Sequence, residues 1–228
     1  MKSKYLLVLG LLFLIVALIA GCAAFLHPSG EPELGEYNYT HRPLYVGEPQ
    51  RVIQVWVDKN FDNEDQVRIA KSVEAWNFVL NGHIKIEIVD TQFDMEVEKI
   101  VSQVRSNGWL IMKINSDSML IPSSEKGFSV IGFTERVGGN HMWLVRDRLT
   151  YLSMYGVTLH EIGHLMGSDH VGQRLMYPHY TQARFQCIDF ETIKEVAKWN
   201  HLPIGDLNYC IPKGDAIPVE DGKTGLSL

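Results

Sequence analysis

The sequence has few cysteines, no basic cluster and no internal repeat. Cys22, Cys187 and Cys210 are the only cysteines in 228 residues, which leaves a single pair once Cys22 is set aside. The net charge of −6 and the lack of a lysine- or arginine-rich stretch exclude an electrostatic footprint for nucleic acid. No repeat is visible, so the chain is not read as a repeat array. What remains is ordinary globular composition: 46% hydrophobic and 21% charged residues, far from a disordered chain. The length fits one main domain with end segments.

The N-terminus is read apart from the fold. Lys2 and Lys4 precede an apolar stretch from Leu6 to Ala20 that ends in small residues, the pattern of an export signal. Ile19-Ala20-Gly21-Cys22 also resembles the lipobox of bacterial lipoproteins. That resemblance implies cleavage before Cys22, lipidation of Cys22 and a membrane anchor. A plain cleaved signal stays open. So does an uncleaved anchor, since Leu6 to Leu26 carries no charge and is just long enough to span a bilayer. Every version puts the domain outside the cytoplasm or in the envelope. The expected layout is a signal at 1–21, an anchor and flexible tether at 22–48, a catalytic domain at 49–210 and a polar tail at 211–228. Cys187 and Cys210 are expected to pair in an oxidising compartment, two separate thiols being the alternative.

Period-two alternation marks strands at Arg51–Asp58 (Ile53, Val55, Val57) and at Ile84, Ile86 and Ile88. Trp109–Ile114, Phe128–Glu135 and His141–Val145 read as further strands, the last two joined across Gly138-Gly139-Asn140. Helical spacing of Ile69, Val73, Trp76 and Leu80 follows a cap at Asp62 or Asn63 and stops at Asn81-Gly82. Two more helices are expected, at about Thr150–Met166 and Asp189–Trp199. This order predicts an α+β domain of two layers.

His160-Glu161-Ile162-Gly163-His164 has the H-E-x-x-H form. On a helix, positions four apart share a face, so both imidazoles can reach one cation. Catalytic zinc takes three protein ligands and a water. Leu165-Met166-Gly167-Ser168-Asp169-His170 supplies the third: a turn at Gly167 ends the helix and returns His170 to the metal. Glu161, next to a ligand, is placed to act as general base. The expected cofactor is one catalytic Zn²⁺; calcium is not legible in the loops.

His160 to His170 resembles the long zinc motif of the metzincin metalloproteases. Leu175-Met176-Tyr177-Pro178-His179-Tyr180 is similar to the Met-turn of the matrixins, the matrix metalloprotease subgroup. The metzincin resemblance implies a mixed twisted sheet with an active-site helix and a C-terminal helix. It implies a zinc endopeptidase with Met176 beneath the metal, and Pro178 and Tyr180 lining the pocket for the side chain after the cut bond. It also implies an extended protein or peptide substrate paired with an edge strand at Val130–Thr134, with Gly132 and Phe133 as binding residues. Only five residues separate His170 from Met176, tighter than matrixins show. Residues 23–50 hold no cysteine, so cysteine-based latency is not expected. No second, structural zinc site is matched, and His141 is read as a strand residue rather than a ligand. The competing readings are a non-catalytic zinc-binding envelope protein of the same fold and a zinc-storage lipoprotein. Glu161 beside three intact ligands weighs against the first, and the lack of histidine-rich loops against the second.

Overall fold

The computed structural model describes residues 37–94, 108–124, 128–181 and 186–212. The signal and anchor readings, Cys22 and the tail beyond residue 212 lie outside the described residues. Among the described residues no helix is long and apolar enough to cross a membrane.

Among the described residues, seven strands and three α-helices form in the order β1 (Tyr37–Tyr39), β2 (Arg51–Asp58), α1 (Asn63–Leu80), β3 (Ile84–Phe93), β4 (Gly108–Ile114), β5 (Gly132–Thr134), β6 (His141–Val145), α2 (Tyr151–Leu165), α3 (Phe190–Asn200) and β7 (Cys210–Pro212). Five strands make a mixed sheet ordered β3-β2-β4-β6-β5. The first four are parallel, and β5 alone runs antiparallel, against β6, at one edge. The structure is the expected two-layer α+β fold.

The core explains the layering. Ile53, Val55 and Val57 alternate inward from β2, and Ile84 and Ile86 from β3, to meet Ile69, Val73, Trp76 and Leu80 of α1. Trp76 is fully buried and donates its indole N–H to the Leu159 carbonyl at 3.0 Å, tying α1 to α2. Truncating such a side chain costs about 3–5 kcal/mol. Asp62 caps α1 by accepting from the Asp65 N–H, and Asn81 ends it in the left-handed conformation (φ 50°), as Asn tolerates. Thr150 and Ser153 cap α2 reciprocally.

Two boundaries differ from expectation. The strand read over Phe128–Glu135 is only Gly132–Thr134. Upstream, Arg148 Nη1 takes the Val130 carbonyl at 2.8 Å, and the Phe128 ring turns aside to stack on His179 at 4.1 Å between centroids; backbone bonded to a side chain does not extend the ladder. Regular structure also precedes residue 49. Tyr37–Tyr39 pairs with Cys210–Pro212 in a separate two-stranded sheet. Thr40 N–H then bonds to the Tyr209 carbonyl and Arg42 N–H to Asn208 Oδ1. Three residues are too few to show an alternating pattern, so this strand has no signature in the sequence. Cys187 and Cys210 form a disulfide, with Cα atoms 5.8 Å apart, beside the Cys210 N–H bond to the Ile188 carbonyl.

Candidate metal centre

The last turns of α2 carry His160, Glu161 and His164, all buried. The helix stops at Met166, and Gly167 takes φ 93°, a conformation open to glycine and costly for other residues. His170 then comes back: one ligand atom each from His160, His164 and His170 lies within 4.8 Å of the other two. Tetrahedral zinc with bonds of about 2.0–2.1 Å wants donors about 3.3 Å apart, so the histidines are near binding distance. Among the described residues this is the one group of three or more His, Cys, Asp or Glu that could hold a metal.

Second-layer contacts settle the tautomers of the two helical histidines. His160 Nδ1 donates to the Leu175 carbonyl at 2.6 Å, and His164 Nδ1 donates to the Ser168 carbonyl at 2.8 Å. A carbonyl only accepts, so each Nδ1 carries the proton and the lone pair lies on Nε2. Burial first, then the neighbouring His164, lowers the pKa of His160 to about 3. Burial likewise brings His164 to about 4 and lowers that of His170. Metal-free, the imidazoles are therefore neutral, which is the form that binds a cation.

Glu161 is 4% exposed, and its Oε2 has no hydrogen-bond partner among the described residues. Burial alone raises its pKa to about 8. An unsatisfied buried carboxyl oxygen is costly, and a ligand or water in the adjoining cleft would satisfy it. Three imidazole nitrogens, two of them of fixed tautomer, beside this orphaned oxygen fit a divalent metal ion.

The centre opens into a cleft of about 660 Å³ lined by residues 128–134 on the β5 side and by Pro178, His179 and Tyr180. Met176 is fully buried with its thioether against Gly163, where an added methyl would lie 2.5 Å from the sulfur. It thus packs on α2 between the two helical histidines. Gly132 abuts the same helix: a methyl there would lie 2.7 Å from Val157 Cγ1 and 2.9 Å from Glu161 Oε1. Its missing side chain makes room for the helix and for Glu161. Phe133 is the next residue along the strand, so its ring falls on the other face and stacks on Trp143 at 5.0 Å. What Phe133 presents along the strand edge is its backbone. His141 lies in β6 with Nδ1 2.9 Å from Glu135 Oε2.

Sequence reasoning passed over Asp189 and Val157. Asp189 caps α3 and accepts the Leu175 N–H at 3.2 Å, so it holds the residue whose own carbonyl meets His160 Nδ1. An Asp before a helix is a readable cap; its reach to residue 175 is visible only in three dimensions.

No protein-family model matches the chain, and no curated protein does. Among solved structures, the chain is similar to metalloproteinase-II from Bacteroides fragilis. The sequence identity is 14% and the TM-score 0.45, over 75% of this chain and 59% of that one. This chain thus spans less than two thirds of that protein. So loose a likeness carries nothing about activity, which has to be read from the centre itself.

Proposed function

We propose that this chain is a zinc-dependent endopeptidase of metzincin, matrixin-like type. His160, His164 and His170 would hold the ion, and Glu161 would be the general base. The observation that carries this reading is the convergence of three neutral imidazoles beside a buried carboxylate with one oxygen unpartnered. A zinc ion held by these three residues would supply an acidified water, of pKa about 7, and a Lewis acid for the substrate carbonyl. Glu161 accepts the water proton during attack on the scissile carbonyl carbon and returns it to the departing amine nitrogen. Burial raises its pKa in the metal-free site; a bound dication would favour the carboxylate form that a general base needs.

The substrate backbone pairs with β5, whose position at the sheet edge leaves one side for an added strand. Pro178, Tyr180 and Val157 line the cleft and would receive the side chain after the cut bond. The Cys187–Cys210 disulfide accords with a compartment outside the cytoplasm. Export and anchoring through Cys22 belong to the same proposal, and mass spectrometry of membrane-extracted protein tests them. The activity is tested by cleavage of casein with and without chelator, comparing wild type with Glu161→Ala. Chelator-sensitive cleavage lost in the variant is expected; equal cleavage by the two proteins sinks the mechanism.

A further inference from the structure

His170 is held differently from the other two histidines. His160 and His164 are tied through Nδ1 to carbonyls, whereas no hydrogen bond reaches the His170 ring among the described residues. Its place depends on the backbone turn that follows α2. That turn bonds back to the helix end: Gly167 N–H to the His164 carbonyl at 3.0 Å and Ser168 N–H to the Gly163 carbonyl at 2.9 Å. The turn between β5 and β6 converges on the same acceptor, with Gly138 N–H 2.8 Å from the His164 carbonyl.

One side chain touches both turns. The Trp199 ring, near the end of α3, lies so close over Gly167 that a methyl there would fall into its five-membered ring. At Gly138 a methyl would sit 2.6 Å from Trp199 Cζ2. Both glycines have positive φ, 93° and 69°, so neither turn can close that space with a larger residue cheaply. Trp199 remains 56% exposed: its inner face covers the two turns and its outer face meets solvent. The next residue adds a second tie, Asn200 Nδ2 to the Met166 carbonyl at 2.8 Å.

We propose that Trp199 is a positioning residue for the metal centre: its ring braces the Gly167 turn against the Gly138 turn and so holds His170 in reach of the ion. The inference rests on reading the three histidines as a zinc site. A flat, rigid ring suits two bare backbone turns where a flexible aliphatic chain would leave gaps. Loss of an outer-shell support of this kind weakens metal affinity by about 10–100-fold.

The test is the zinc dissociation constant of the full chain, measured by competition with a chromophoric chelator, with the cobalt(II) absorption spectrum as a report on ligand geometry. Trp199→Ala is expected to raise the constant about 10–100-fold and to change the cobalt spectrum. Trp199→Phe, which keeps a flat ring, should stay within about threefold of wild type, and Lys198→Ala on the same exposed turn should match wild type. Folded Trp199→Ala with wild-type affinity and spectrum overturns the brace, as does Trp199→Phe losing as much as the alanine variant. Should Trp199→Ala fail to fold, Trp199→Leu replaces it: weakened binding supports the brace, and wild-type binding overturns it. Failure of the wild type itself to bind zinc overturns the metal reading instead, a result separate from any of these.

Discussion

The centre has two halves built by different means. The helical half, His160 and His164, is set by one period of α2, buried, and locked by the Leu175 and Ser168 carbonyls. The loop half, His170, is more exposed, lies beyond the helix, and owes its place to Gly167 and the groups packed around it. The helical half is local chemistry that a five-residue motif can encode. The loop half is tertiary, and its support comes from α3, some thirty residues further along the chain.

Predictions follow from this contrast, the largest first. Glu161→Gln should lower kcat by about 10³–10⁴-fold, the upper part of the range for general acid–base groups, with zinc affinity within about threefold. Single-turnover kinetics beside chelator competition separates the two, and a large fall in affinity would give Glu161 a ligand-supporting role instead. Next, His160→Asp should cost about 10³-fold in zinc affinity and His170→Asp only about tenfold. A carboxylate at the buried helical position pays a desolvation penalty of several kcal/mol that the exposed loop position escapes. Equal losses would erase the distinction between the halves.

Asp189→Ala removes the acceptor of the Leu175 N–H and the cap of α3. It should lower stability by about 1–2 kcal/mol and weaken zinc binding by about tenfold. Denaturant melts and chelator competition on the same variant check the two effects.

The smallest effect concerns the metal-free protein. The pKa of Glu161 is raised from the ordinary 4.5 to about 8 in the folded state. The folded state therefore holds a proton that the unfolded chain has released. The resulting stability is full below about pH 4.5 and is lost as pH rises toward 8. His160 and His164 act in the opposite sense. Their folded pKa values of about 3 and 4 lie below the ordinary 6.5, so stability is full above pH 6.5 and falls as pH drops toward 4. Chelated wild type should thus be most stable near pH 6.5, and chelated Glu161→Gln should lose the decline between pH 6.5 and 8. Melting curves across that range decide it.

Much of this was legible in the sequence because it is periodic. β2, α1 and the zinc-motif helix have caps and spacings that local rules predict, and the histidines four apart need only a helix to meet. The rest depends on contacts between distant segments. β1 is too short to alternate visibly, and its partner lies at residue 210. The residues before Gly132 look like strand, but Val130 gives its carbonyl to Arg148 and Phe128 its carbonyl to Ser124. Gly132 reads as a binding position on the edge strand, and only the fold shows that its missing side chain also makes room for Val157 and Glu161. Trp199 reads as the last residue of a helix, and only its position over Gly167 and Gly138 gives it a part in the centre.

Zinc K-edge absorption on the full chain loaded with one equivalent of metal tests the central claim most directly. The account predicts three imidazole nitrogens and one further light atom at about 2.0–2.1 Å. A shell with fewer than three imidazoles, or one containing sulfur, would contradict it.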